Sequence, residues 1–387
     1  MEKYGQYRDK GNAPPQTRPA YRRMANDSAG SGIAPFFPIS PPATSPLLLP
    51  WHLFLFSIRI PFIAFAWFVW LGLIQWLPAG SALRKANQWC LLGIPGVWWV
   101  DIQIDGVRRG SLAQGGKRRL PYPGTIIASS WTSPLDVLYL AAIFDPIFTK
   151  SYKDSKLVRP IPQEGALAGC FNITDPFALL KTSEPLTSLD NLVKQNPNRV
   201  IVVFPEGTTS NGRSILKLTP SLTSAAPETK VFPVSLKYTP SDVVTPIPGW
   251  LEGVRFIWRL NSAPSHCIRV RIGTAMLMAP PPTFSSGRTG GSQSTTSGRR
   301  SGAERASGAR GGFETNYFDT LRASPAQKLG DEGEGGEDDG LTSDERQKLD
   351  AVADDLARLG RVKRVNLGVE EKARFIEAWA KSAKSRK

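Results

Sequence analysis

Apolar residues are densest between Leu47 and Pro78. The stretch LLLPWHLFLFSI runs up to Arg59, and IPFIAFAWFVWLGLIQWLP follows it. The second piece is about 19 residues, near the roughly 20 that a helix needs to cross a bilayer, and the first is too short to cross alone. Pro50 and Pro61 interrupt the run, and Trp51, Trp67, Trp70 and Trp76 are of the type that favours membrane interfaces. Residues 47–82 are therefore predicted to form a membrane span or a re-entrant hairpin. Basic residues on both flanks (Arg18, Arg22 and Arg23 before; Arg84, Lys85, Arg108 and Arg109 after) favour the hairpin, with both ends on the cytosolic face. A buried helix of a soluble core is the competing reading, and so Trp-rich a stretch is costly to hide in a domain of this size.

Residues 83–282 change pattern. VWWVDIQIDGV, TIIASS, RVIVVF, KVFPVSLKY and CIRVRIG read as strands, and SPLDVLYLAAIF, DPFALLKT, LTSLDNLVKQN and WLEGVRFIWRL as helices. Their alternation predicts an α/β domain with a mostly buried sheet and flanking helices. Residues 1–46, rich in Pro, Ser, Arg and Asn without an apolar period, are predicted to be a disordered leader and not a secretory signal. Residues 283–340 are a low-complexity linker, basic at first and then acidic in DEGEGGEDD. Residues 341–387 regain a helical period. Thr342 and Glu345 make a capping box, Leu349, Val352, Leu356 and Leu359 share a face, and Gly360 is a stop. A second helix carries Phe375, Ile376 and Trp379 on one side, so this C-terminal helical pair is expected to pack back on the α/β domain or to lie on a membrane.

Composition narrows the chemistry. Across 387 residues the hydrophobic fraction is 41%, enough for a core, whereas 35 Gly and 33 Pro imply unfolded stretches. The net charge of +15 points to anionic partners: phosphate head groups, a charged membrane or nucleic acid. No nucleic-acid motif is present and the linker arginines are not interleaved with aromatics, so no nucleic-acid partner is expected. Two histidines, His52 and His266, exclude His-rich metal chemistry, and no metal site is expected. Cys90, Cys170 and Cys267 lack metal-ligand spacing and an even disulfide framework, which fits a reducing, cytosol-facing setting.

RVIVVFPEGTTSNGR, residues 199–213, carries the sharpest chemical signal. An apolar strand delivers Glu206 to its carboxyl end, where α/β sheets bind ligands. Gly207 allows close backbone approach, Thr208, Thr209 and Ser210 offer donors to a phosphate, and Arg213 adds charge. An ordinary strand-to-loop turn uses the same residue types. The segment nevertheless resembles the phosphate-binding block of the glycerolipid acyltransferases, which move acyl chains from acyl-CoA to lysophosphatidic acid and its relatives. KVFPVSLKYTP resembles that family's downstream Val-Pro-Val block. The layout of membrane segment, acyltransferase domain and C-terminal helices is similar to a fungal branch that makes phosphatidic acid from lysophosphatidic acid and oleoyl-CoA.

The resemblance implies a catalytic block, His-x4-Asp, between a strand and a helix. IIASSWTSPLDVLYL sits there: Thr132, Ser133, Pro134, Leu135 and Asp136 match, but Trp131 holds the histidine position and Ser130 the usual asparagine. In the family, histidine takes the acceptor's proton and aspartate orients it; indole has no basic lone pair and cannot do so. Asp136 acting through a water, Glu206, the acceptor's own phosphate, or His266 are the alternative bases. A pseudoenzyme that keeps the lipid site without turnover is another reading. Without the resemblance, Ser133 and Asp136 read as a helix cap. Gly165 and Gly169 are candidates to shape an acceptor groove, and Arg159 to add charge. The resemblance thus implies an enzyme at the endoplasmic reticulum or lipid droplet, with acyl-CoA and a lysophospholipid as substrates and no cofactor. The alternative is a lipid-droplet or reticulum scaffold that keeps the fold.

Overall fold

The computed structural model describes residues 33–41, 45–107, 119–172, 185–278 and 341–384. The predicted low-complexity linker, most of the leader, and the DPFALLKT helix lie outside these residues. The elements run α1 Leu49–Gly72, α2 Ala82–Gly93, β1 Val97–Ile104, β2 Ile126–Ser129, α3 Pro134–Phe144, β3 Ile147–Lys150, β4 Arg159–Ile161 and α4 Gln163–Gly169. Then come α5 Leu189–Gln195, β5 Ile201–Val203, β6 Ser214–Ile215, β7 Lys230–Thr239, α6 Trp250–Ser262, β8 His266–Ile272 and β9 Met276–Leu277. The C-terminal part holds α7 Ser343–Gly360, β10 Lys363–Arg364 and α8 Val369–Lys384.

The architecture is mixed α/β. The main sheet has the order β1-β8-β7-β2-β5-β3-β4, with β9 added to β7. Its centre is parallel: Ile126, Ile127 and Ala128 of β2 lie opposite Ile201, Val202 and Val203 of β5. Both strands are buried along their whole length, and such two-sided burial is why they read as unbroken apolar runs. One face packs against α2, α3 and α4 through residues such as Leu92, Leu135 and Leu140. The other packs against α5 and α7 through Leu189, Leu192, Leu349, Val352 and Leu356. Because β2 and β5 are parallel neighbours, their carboxyl ends place the segments beginning at Ser130 and Phe204 side by side.

Three long-range features qualify the expectations from sequence. The leader is not disordered throughout. Phe36 is buried with Leu216, Ile247, Val365, Leu367 and Phe375, because its ring finds an apolar seat that only the folded C-terminal segment creates. The apolar segment does not reverse as a hairpin: α1 continues through Pro61, and residues 46–76 form one stretch long and apolar enough to cross a membrane. One stripe of that helix is tied to the α/β unit. His52 Nδ1 meets the Ser262 carbonyl at 2.7 Å, Arg59 donates to the carbonyls of Asn261 and Pro264 at 3.0 and 2.9 Å, and Trp70 donates to Glu164. At about 100° per residue these three side chains share one face, while the exposed Phe54, Phe65 and Phe68 point the other way. The C-terminal segment also adds β10 in parallel to β6, directly after the Glu206–Arg213 loop.

Candidate active site

The block after β2 folds as a cap. Ser133 Oγ accepts from Leu135 N at 3.3 Å and donates to the Val243 carbonyl at 2.7 Å. Asp136 returns the capping box: its Oδ2 accepts from Thr132 N at 2.7 Å, Ser133 N at 2.9 Å and Thr132 Oγ1 at 3.1 Å. Its Oδ1 accepts from Tyr238 of β7. Burial pushes the Asp136 carboxyl up to about 6, against the pull of these four donors. Asp136 is thus fully occupied in holding the start of α3, and Ser133 is fixed in the same network.

Trp131 fills the space beside them. It is 6% exposed, stacks on Phe204 with ring centroids 4.9 Å apart, and its Nε1 donates to Cys170 Sγ at 3.1 Å. Gly169 makes room for it: a Cβ there would stand 2.7 Å from Trp131 Cη2. Gly169 therefore shapes the indole's seat, whereas Gly165 packs only against Ile161 and Pro162. Cys170, buried and with its thiol pushed up by desolvation, is an inert wall of this seat.

The loop after β5 lies against the same block. Gly207, at φ 64°, turns the chain, and its N donates to the Phe204 carbonyl at 3.0 Å. Ser210 N donates to the Trp131 carbonyl at 2.9 Å, and Thr209 Oγ1 to the Thr245 carbonyl at 3.0 Å. Thr208 is buried in the same turn. Glu206 is fully buried, and among the described residues neither carboxylate oxygen has a partner in full hydrogen-bond geometry. Burial pushes its carboxyl up to about 8; the amides of Leu216 and Trp131 and the Lys372 ammonium pull it part of the way back, while Asp136 opposes them. Arg213 is exposed and does not join this cluster; the cation that enters it is Lys372.

Lys372 comes from α8, is 1% exposed, and donates to Thr209 O and Oγ1, both at 2.6 Å. Burial pushes its ammonium down to about 7, with Cys170 and Glu206 acting against that shift. His266 does not enter the cluster. Its Nε2 is tied to the Leu260 carbonyl at 2.8 Å and burial lowers its pKa, because the start of β8 is covered by α6. The side chain of His52 is likewise engaged with α6. Among the described residues no three His, Cys, Asp or Glu side chains gather to hold a metal ion.

Sequence reasoning missed Tyr238, Cys170 and Lys372. Tyr238 ends a strand that was recognised, but its phenol bonds to Asp136 across 102 positions. The available signal for Lys372 was a cation in an apolar stripe, since it falls three, four and seven positions before Phe375, Ile376 and Trp379.

Residues 113–238 match the family model described as Acyltransferase, an interval that holds Trp131, Asp136, Glu206 and Tyr238. A Schizosaccharomyces pombe protein, named provisionally as a lysophosphatidic acid:oleoyl-CoA acyltransferase, is 28% identical over 242 residues, covering 59% of this chain and 76% of the relative. The crystal structure of the 1-acyl-sn-glycerophosphate acyltransferase PlsC from Thermotoga maritima aligns at 16% identity and a TM-score of 0.30, over 61% of this chain and 89% of that one. The match to the acyltransferase model spans both halves of the buried cluster, from the cap at Asp136 to the turn at Glu206, and over this interval the chain is similar to the glycerolipid acyltransferases.

Proposed function

We propose that the protein transfers an acyl group from acyl-CoA to lysophosphatidic acid, or a related lysophospholipid, to give phosphatidic acid and CoA. The observation that carries this reading is the buried Glu206 carboxyl at the end of β5, approached by the Leu216 and Trp131 amides outside full hydrogen-bond geometry and next to the amino end of α3. With tryptophan at the family's histidine position, another group must take the acceptor's proton. Asp136 is occupied by four donors, whereas among the described residues neither Glu206 oxygen has a partner in full hydrogen-bond geometry. Glu206 in its ionised form accepts the proton of the glycerol hydroxyl while that oxygen attacks the thioester carbonyl. The tetrahedral intermediate then expels CoA thiolate, which recovers the proton from Glu206. A carboxyl pushed up toward neutrality suits a group that must accept and return a proton.

The same reading places the protein on a membrane of the endoplasmic reticulum or lipid droplet, with the α/β unit on the cytosolic side. Support comes from α1 and from the exposed Trp250, Leu251, Val254 and Ile257 of α6, which runs beside it through the Phe56–Trp258 contact at 4.9 Å. One observation favours a second, non-catalytic reading: Trp131 fills the space next to Asp136. The test is acyl transfer from labelled acyl-CoA by the purified full chain, offered several lysophospholipids. Turnover that falls at least about a hundredfold in Glu206→Gln supports the proposal. Absence of turnover with every acceptor sinks it and leaves the scaffold.

A further inference from the structure

Lys372 is an expensive side chain to bury. It stands in the apolar stripe of α8, where a methionine would pack without desolvating a charge. It makes no ion pair within 4 Å among the described residues, and Glu206 lies near enough to act on it only through its charge. Two of its three N–H donors go to Thr209, and the third has no partner there. Glu206 is approached by the Leu216 and Trp131 amides but has no partner in full hydrogen-bond geometry among the described residues, and the hydroxyls of Ser151 and Ser214, on segments that border the same loop, are likewise buried without one. The cluster therefore holds a spare cationic donor and spare acceptors together. Buried polar groups are ordinarily satisfied, so such a set suits a polar group that brings both an anionic oxygen and a hydroxyl.

The element that brings Lys372 is seated firmly on the loop. Val369 Cγ2 stands 3.3 Å from where a Gly207 Cβ would be, and Glu370 accepts from Lys153 at 2.6 Å. Phe37 lies 5.2 Å from Phe375 and 6.0 Å from Trp379, ring centre to ring centre, and Asn211 Nδ2 donates to the carbonyls of Ala34 and Phe37 at 2.8 and 3.0 Å. Segments from both ends of the sequence thus clamp the Glu206–Arg213 loop, and α8 contacts it at Gly207 and Thr209.

We propose that Lys372, delivered by α8 into the Glu206–Thr209 turn, is the cation that binds the phosphate of the acyl acceptor. The C-terminal helix is then a working part of the acceptor site. The inference rests on the function proposed above for its choice of a phosphomonoester that carries a hydroxyl. The phosphate takes the spare ammonium N–H, a charge-assisted bond, and the glycerol hydroxyl meets Glu206.

The test is equilibrium binding to the full chain in detergent micelles, which needs no turnover. The probes are 1-oleoyl lysophosphatidic acid and 1-oleoylglycerol, which differ by the phosphate. Lys372→Met should weaken lysophosphatidic acid binding about tenfold to a hundredfold and leave oleoylglycerol within about twofold. Its melting temperature should equal or exceed that of the wild type, since no charge is buried. Lys381→Met, on the exposed side of α8, should change neither affinity. Lys372→Gln, which keeps a donor to Thr209 without the charge, should repeat the methionine result. The proposal is overturned if the wild type binds lysophosphatidic acid no tighter than oleoylglycerol, if Lys372→Met weakens both lipids alike, or if it weakens neither. Failure of both Lys372 variants to fold would also overturn it, by making the lysine structural. If the wild type binds lysophosphatidic acid through Lys372 but never turns it over, the transferase reading falls and this one stands.

Discussion

Trp131 and Phe204 lie face to face, with ring centroids 4.9 Å apart and planes 15° from parallel. One ring belongs to the segment that leads to Asp136 and the other to the segment that leads to Glu206. The contact locks the two halves of the candidate site together, and stacked aromatic pairs add about 0.5–1.5 kcal/mol beyond their buried area. It also means that the residue at the family's histidine position is bound up in packing.

Trp131→His tests what that packing replaces. The imidazole loses the stack on Phe204, so the variant should be less stable by about 1–3 kcal/mol in denaturant unfolding. On the proposed mechanism, in which Glu206 accepts the proton, acyl transfer should rise by no more than a few fold, since Asp136 is occupied by its four donors. A gain of about a hundredfold or more, the usual worth of a general base, would show that Glu206 is not the base.

Gly169→Ala should disturb the same seat from the other side. The new Cβ would stand 2.7 Å from the rigid indole, and overpacking of this kind costs about 1–3 kcal/mol. Combining it with Trp131→Phe should recover most of the loss. Simple addition of the two effects in a double-mutant cycle would mean that the glycine and the indole do not share this space.

Glu206 gives stability a definite pH dependence. Its carboxyl holds a proton up to about 8 when folded and releases it near 4.5 when unfolded, so the native state binds more protons between those values. This contribution is fully present below pH 4.5 and is lost as pH rises through about 8. Lys372 acts with the opposite sign at higher pH, since its folded value near 7 lies below the ordinary 10.5 and the unfolded state binds the extra proton. Wild-type melting temperature should therefore fall most steeply from about pH 5 to 7, then flatten. Glu206→Gln should remove the fall above about pH 6 and leave below it the share of Asp136, whose carboxyl is pushed up to about 6; an unchanged slope above about pH 6 in that variant would place the titrating group elsewhere.

Catalysis should follow the other limb of the same titration. On the proposed mechanism the base is the ionised Glu206 carboxylate and the phosphate meets the Lys372 ammonium, so kcat/KM should rise with pH as Glu206 loses its proton and fall again as Lys372 does, with its maximum between about 7 and 8. A profile that is flat between pH 6 and 8.5 would show that another group takes the proton.

Arg59 anchors α1 by three donations, to the carbonyls of Asn261, Ala263 and Pro264. Arg59→Met should cost about 1–3 kcal/mol by leaving those carbonyls unmet, and should make the 45–80 segment cleavable by protease in detergent. Resistance equal to that of the wild type would show that the apolar contacts with α6 suffice.

The sequence by itself determined the local pieces. Two-sided burial wrote β2 and β5 as unbroken apolar runs, Ser133 and Asp136 carried the signature of a helix cap, and Glu206 followed its strand directly into a turn that needs Gly207 at positive φ. The continuous apolar run made α1 visible, although reading its proline and flanking charges as a reversal was wrong for this helix, which passes through Pro61 tied by His52, Arg59 and Trp70. Only the tertiary structure decided which side chains meet. Tyr238 reaches Asp136 across 102 positions and Lys372 reaches Thr209 across 163, separations over which propensity and periodicity carry no information. Tertiary structure also left Arg213 outside and brought Lys372 in, and it ordered Phe36 by giving it a seat on α8. The physical reason is the same in each case. Caps, turns and amphipathic faces are satisfied by neighbours in the chain, whereas a buried charge or an aromatic seat exists only once distant segments have closed around it.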